Sequence, residues 1–156
     1  MRDIAVLLHN IRSAHNVGSI FRTADAAGVS RIMLSGYTPT PTDRFDRPQK
    51  EIAKTALGAE ASVPWTYKPD ALAVLSQMRD EGFTIVGIEQ DARSVDYRDY
   101  AYKGKLLFVL GSEVEGIDSA VLNACDTILE IPMRGAKESL NVSVAAGIVL
   151  FRAIDQ

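Results

Sequence analysis

The stretch Lys105-Leu106-Leu107-Phe108-Val109-Leu110-Gly111-Ser112-Glu113-Val114-Glu115-Gly116-Ile117-Asp118 decides the fold class. After Lys105 its first half contains no polar residue. Side chains of a strand point alternately to opposite faces, so a strand apolar at every position must be covered on both. That describes a central strand of a parallel sheet. The second half is a glycine-containing acidic turn, and Asp118 is suited to cap a short helix running to Ala124. A buried strand that turns directly into a helix is half of a βαβ unit.

Working outward, the same alternation recurs. Ile4–Leu8, Arg31–Leu34, Ser62–Tyr67, Phe83–Ile88 and Thr127–Ile131 read as strands. Between them, Ser19–Ala27 places Ile20, Phe21, Ala24 and Ala27 on one helical stripe, with Gly28 as its C-cap. Pro48–Leu57, Asp70–Arg79 and Leu140–Ile154 read as further helices, and Ser139 as the N-cap of the last. The Pro-, Thr-, Asp- and Arg-rich segment Ser35–Arg47 reads as a loop. The prediction is an α/β fold: a mostly parallel sheet with helices on both faces. Ligands in such sheets bind beyond the carboxyl ends of the strands, here just after Leu8, Ile88, Leu110 and Ile131.

The 156 residues are 47% hydrophobic and 24% charged, which suits one globular domain spanning 1–156. The formal net charge of −3 argues against a general nucleic-acid coat, though not against a local basic patch. The lone Cys125 has no partner for an internal disulfide. The N-terminal apolar run is too short for a signal peptide or a membrane span, so a cytoplasmic protein is expected. His9 and His15 lack metal-ligand spacing, and no cysteine pair or carboxylate cluster joins them, so no metal is expected.

Three segments carry unusual polar residues. His9–Asp25 contains Asn16, Gly18 and Arg22. Asn16 orients the loop or caps the helix, and Arg22 is either a site residue or a solvated helix arginine. Gly111–Asp118 lacks the Gly-x-Gly start of a dinucleotide site and the Gly-Lys-Ser/Thr of a phosphate loop. Its glutamates would repel a pyrophosphate and suit hydroxyls, amines or positive charge. Ile131–Val144 ends a strand at Pro132, then places Asn141 and Ser143 early in an apolar helix. They either bond nearby backbone or line a site, because an unpaired buried polar group costs about 1–3 kcal/mol.

Taken together, Asn16-Val17-Gly18 followed by Arg22, Gly111 to Gly116, and Ile131-Pro132-Met133 followed by Ser139 to Ala145 resemble the three motifs of the SpoU (TrmH-like) branch of the SPOUT RNA methyltransferases. Lys54–Ala59 is also similar to a family segment. The resemblance spans essentially the whole chain. It implies S-adenosylmethionine-dependent methylation of a ribose 2′-hydroxyl in transfer or ribosomal RNA, a C-terminal trefoil knot, and a homodimer with interfacial active sites. It places the cofactor against Ile88, Glu89, Gly111, Ile131, Met133, Ser139 and Leu140, largely through main-chain groups. It makes Arg22 essential, as a base once a substrate phosphate engages it. Guanidinium groups hold their protons tightly, so a bidentate phosphate clamp that also stabilises developing alkoxide charge suits the chemistry better. Asn16, Glu113, Ser139 and Asn141 would orient the other groups, with Glu113 positioning rather than abstracting a proton.

RNA contact requires cations. Arg44, Arg47, Lys50 and Lys54 recur at three- and four-residue spacing, and Arg12 and Arg134 flank the motifs. The helical run is either an RNA-facing surface or simply a solvated face. Two rival readings compete: a non-catalytic RNA-binding module on the same fold, and a nucleotide-dependent oxidoreductase. The four polar motif residues weigh against the first and the missing glycine fingerprint against the second.

Overall fold

The computed structural model describes residues 2–156. In chain order its elements are β1 (Asp3–His9), α1 (Ala14–Ala27), β2 (Arg31–Ser35), α2 (Lys50–Ala56), α3 (Ala59–Ser62), β3 (Trp65–Tyr67), α4 (Ala71–Asp80), β4 (Thr84–Ile88), β5 (Val95–Asp96), β6 (Lys105–Leu110), α5 (Ser119–Asn123), β7 (Thr127–Glu130) and α6 (Val142–Ile154). The seven strands lie in the order β3-β2-β1-β6-β4-β7-β5, every pair parallel.

The all-apolar strands sit where two-sided burial demands. Strand β6 lies between β1 and β4, with Val6 beside Phe108 and Leu7 beside Val109. Leu106, Phe108 and Leu110 join Val6 and Leu8 in one core, against α1, α2 and α6. Leu107 and Val109 join Ala5 and Leu7 in the other, against α4 and α5.

Helix α1 begins at Ala14, five residues before the expected Ser19, because the Ser13 side chain accepts the Asn16 N–H at 3.2 Å. Gly18 therefore lies inside the helix, not at its start. A Cβ there would stand 2.0 Å from Thr55 Oγ1 and 2.3 Å from the Ile52 carbonyl oxygen. The family-like Lys54–Ala59 segment thus lies against α1 at backbone distance, and Thr55 Oγ1 donates to the His15 carbonyl at 2.9 Å. Gly18→Ala should lower the unfolding free energy by about 3 kcal/mol, since the carbonyl has nowhere to go. Urea denaturation checks this, and an unchanged midpoint would refute the close approach.

Three further differences have local causes. The last helix is capped by Asn141, not Ser139: Asn141 Oδ1 accepts the Ser143 N–H at 2.9 Å and its hydroxyl at 2.5 Å. Strand β5 escaped the sequence reading because two residues between Asp-x-Arg turns show no periodicity. The segment expected as a strand from Ser62 begins only at Trp65, since Ala59–Ser62 closes a short helical turn after α2.

Candidate functional site

The carboxyl ends of β4, β6 and β7 open into a cavity of about 600 Å³. Ile88 and Glu89 lead out of β4, Gly111 out of β6, and Ile131 and Met133 out of β7. Ser139 and Leu140 close its rim. All seven residues expected to hold the cofactor therefore meet in one place, though they come from three distant segments.

The Gly111–Asp118 loop is fixed from beneath. Glu89 Oε2 accepts the Ile117 N–H at 2.9 Å and Oε1 accepts the Gln90 N–H at 3.0 Å. The Glu89 side chain is thus occupied in shaping the loop, and its N–H donates to the Leu129 carbonyl of β7 at 3.0 Å. Gly116, at φ 71°, turns back over Gly111, and a Cβ on Gly111 would stand 2.6 Å from the Gly116 carbonyl carbon and the Ile117 nitrogen. Across the opening, Gln90 Nε2 donates to the Glu138 carbonyl at 2.7 Å, tying the segment after β4 to the segment after β7.

The lining is charged in one sense only. It carries the carboxylates Glu89, Asp91, Glu113, Glu115, Glu130 and Glu138, and no lysine, arginine or histidine. A pyrophosphate would meet repulsion from every side, while a ligand bearing positive charge would be favoured. The apolar floor of Ile88, Leu110, Ile117 and Ile131 suits a flat ring.

A polar relay borders this cavity. Glu113 accepts the Arg12 and Ser13 backbone N–H groups at 3.1 and 3.3 Å and Asn16 Nδ2 at 3.4 Å. Asn16 Oδ1 in turn accepts Asn141 Nδ2 at 3.2 Å. Three of the sequence-expected residues, one from each motif, therefore bond to one another. Asn16 is a helix residue in this relay and not the cap. Burial pushes Glu113 up, but bonds from its own amide, from Arg12 and Ser13 and from Asn16 more than offset this and hold it below the usual carboxylate range. Its grip on the loop is complete above that range and is lost as pH falls through the lowered value.

Arg22 is not brought to the cavity of its own chain. Six residues beyond Asn16 it faces another side of α1, exposed, over a depression shared with Ser19, Lys54, Thr55, Leu57 and Phe151. Among the described residues no carboxylate pairs with it, and no group of three or more His, Cys, Asp or Glu residues is placed to hold a metal. Of the expected RNA contacts, Arg12, Arg44, Arg47, Lys50 and Arg134 are all exposed. Arg12, Arg44 and Arg47 lie on the side of the α1 end opened by the β2–α2 loop, while Arg134 lies in the segment after β7.

One feature went unread in the sequence. His9 bridges Ser35 Oγ at 2.8 Å and Asp118 Oδ1 at 3.0 Å, holding the end of the Gly111–Asp118 loop to the tops of β1 and β2. Its position at the carboxyl end of the first strand was the available signal.

The geometry agrees with comparisons to known proteins. The sequence profile of the SpoU rRNA Methylase family matches residues 3–151. The chain is 35% identical, over 98% of its length, to the 23S rRNA (guanosine-2'-O-)-methyltransferase RlmB of Ralstonia nicotianae, covering 59% of that protein. It superposes with a TM-score of 0.86 on an AdoMet-bound rRNA methyltransferase from Sinorhizobium meliloti, at 32% identity over 97% of this chain and 55% of that one. It also superposes, at 0.86 and 28% identity, on the TrmH/SpoU tRNA modifying enzyme of A. aeolicus, covering 100% of this chain and 76% of that one. The chain thus spans a little over half the length of the first two. With the three motif segments gathered at one end of an all-parallel sheet and the family profile matched almost from end to end, the chain belongs to the SpoU rRNA methylase family.

Proposed function

We propose that the chain is the catalytic domain of an S-adenosylmethionine-dependent RNA 2′-O-ribose methyltransferase. The single observation that carries this reading is the cation-free, carboxylate-lined cavity at the ends of β4, β6 and β7, bordered by the Asn16–Glu113–Asn141 relay. S-adenosylmethionine, when bound, supplies a methyl group already activated by positive sulfur. The residues that would hold it are Ile88, Glu89, Gly111, Ile131, Met133, Ser139 and Leu140, and the negative lining suits its sulfonium and ammonium charges. A nicotinamide dinucleotide, the ligand of the rival oxidoreductase reading, would bring its pyrophosphate into the same negative field.

The chain's own task is to align a weakly acidic ribose hydroxyl and offset its proton. Glu113 is already engaged by three donors from Arg12, Ser13 and Asn16, so it positions the relay. Arg22 acts from a second copy in an obligate pairing. Support for a homodimer comes from α6, whose Val144, Phe151 and Ile154 are exposed, Phe151 also lining the Arg22 depression. We also read residues 1–156 as one domain carrying a trefoil knot. The chain leaves β4, pairs outside β7 at Val95–Asp96 and returns on the α1–α6 face, where Tyr100 and Tyr102 pack. No described helix is long and apolar enough to cross a membrane, and a cytoplasmic setting is part of the proposal. The relative named for 23S rRNA favours ribosomal over transfer RNA as substrate.

The test is incubation with methyl-labelled S-adenosylmethionine and total RNA from a strain lacking the gene. Label should appear at a linkage that resists alkali, because a methylated 2′-oxygen cannot attack its own phosphate. Cofactor binding without any methyl transfer would favour the non-catalytic module. Within this reading Glu113→Gln keeps one acceptor for Ser13 and Asn16 and loses only the exposed Arg12 bond. Activity should fall by no more than about tenfold. Steady-state kinetics showing a collapse of three orders of magnitude would instead make the carboxylate the proton acceptor.

A further inference from the structure

Away from the cofactor cavity, the β2–α2 loop and the edge strand β3 enclose a second groove of about 750 Å³, lined by Tyr37, Phe45, Trp65, Tyr67, Arg44 and Arg47 among others. Four aromatic rings and two guanidinium groups face one opening. Phe45 is 62% exposed, Tyr37 50% and Tyr67 42%. A bare phenyl ring held in water needs a reason, and this one is held firmly. Asp43 Oδ1 accepts the Phe45 and Arg47 N–H groups at 2.8 and 3.0 Å, Asp43 N–H donates to the Arg47 carbonyl, and Thr42 bridges to Pro48. The guanidinium carbons of Arg44 and Arg47 lie 4.8 and 5.0 Å from the Phe45 ring centre.

We propose that this groove takes an unpaired nucleobase of the RNA substrate, stacked on Phe45 and its arginines, with the flanking phosphates on Arg44 and Arg12. The inference rests on the methyltransferase reading for the identity of its ligand. The lining favours a base over an apolar peptide. Its one carboxylate, Asp43, is consumed by Phe45, Arg47 and the Arg47 Nε at 2.8 Å, whereas Arg44 pairs with no carboxylate among the described residues. Aromatic rings interleaved with guanidinium groups, here one paired and one unpaired, are what single-stranded nucleic acid recognition requires, because every base offers a π-face and every linkage a phosphate. The groove also leads to the reaction site. The Arg12 guanidinium lies 5.8 Å from the Tyr37 ring centre, and the Arg12 N–H is bonded to Glu113. A strand anchored in the groove would pass the relay.

Trp65 is the only tryptophan in the chain and lines the groove, so its emission reports occupancy directly. Short single-stranded oligouridylate should quench that emission, and an RNA duplex of equal length should do so weakly. Phe45→Ala should raise the oligonucleotide Kd about tenfold, Phe45→Tyr should restore it, and cofactor affinity by calorimetry should be unchanged. Equal binding of strand and duplex with no effect of Phe45→Ala would overturn the proposal, leaving a loop that touches only backbone. A change of oligomeric state in Phe45→Ala would overturn it too, in favour of a protein interface. Calorimetry with S-adenosylmethionine on the same samples reads the enzymatic proposal separately: cofactor binding and methyl transfer with a silent groove would sink the groove alone.

Discussion

Replacing Arg22 by lysine should lower kcat by about 10²–10³-fold while leaving cofactor affinity within about twofold of the original. The separation of the two effects follows from where Arg22 stands. It is outside the cavity of its own chain, on an exposed face of α1, so nothing that holds the cofactor depends on it. Lysine keeps the charge but loses the planar fork, and a phosphate or developing alkoxide gripped bidentately is not gripped by a point charge. The more telling form of the experiment mixes two inactive proteins, Arg22→Ala and Asn141→Ala. If each cavity is completed by the other copy's arginine, a mixed dimer carries one doubly damaged site and one intact site. Random exchange makes half the dimers mixed, so about a quarter of normal activity should return. Should subunit exchange be demonstrated and no activity reappear, Arg22 does not act across a dimer, and the proposed assembly of the site fails with it.

The parallel sheet was legible in the sequence because two-sided burial leaves an unmistakable mark. Leu106–Leu110 has no polar position, and its alternate side chains enter two separate cores. The place of the cavity was legible because ligands of parallel sheets bind beyond the carboxyl ends of the strands, while the seven residues that line it came from the family resemblance. What escaped notice was either a choice between nearby capping side chains or a contact set by distance in the fold. Ser13 and Asn141 won the two helix caps from neighbours that also carry capping side chains, and only the bonds to Asn16 and Ser143 decide between them. The order β6-β4-β7-β5 has no sequence signal at all. The aromatic groove was half seen: Arg44 and Arg47 were expected to meet RNA, but the rings between them reach one opening only because β3 pairs with β2.

Gly111→Ala should raise the S-adenosylmethionine Kd by about 10²-fold, or abolish measurable binding, and should lower the unfolding free energy by about 1–3 kcal/mol. The added methyl would stand 2.6 Å from the Gly116 carbonyl carbon and from the Ile117 nitrogen, both backbone atoms. They cannot retreat independently. Ile117 N–H is bonded to Glu89 Oε2, and Glu89 leads out of the neighbouring strand that forms the opposite wall. Relieving the clash therefore moves two sides of the cavity at once, which is why the effect on the ligand should exceed the effect on stability. Gly116→Ala meets a softer obstacle, the Glu89 carboxylate at 2.2 Å, but its φ of 71° adds strain of its own. Gly135 supplies the control. It lies after β7, a Cβ there meets nothing within 4 Å, and its φ is not in the left-handed region, so Gly135→Ala should bind cofactor normally. Calorimetry and urea unfolding on the pair decide the matter. Normal affinity in Gly111→Ala would mean that the loop after β6 is no wall of the cofactor site, and the assignment of the cavity between β4, β6 and β7 would have to be abandoned.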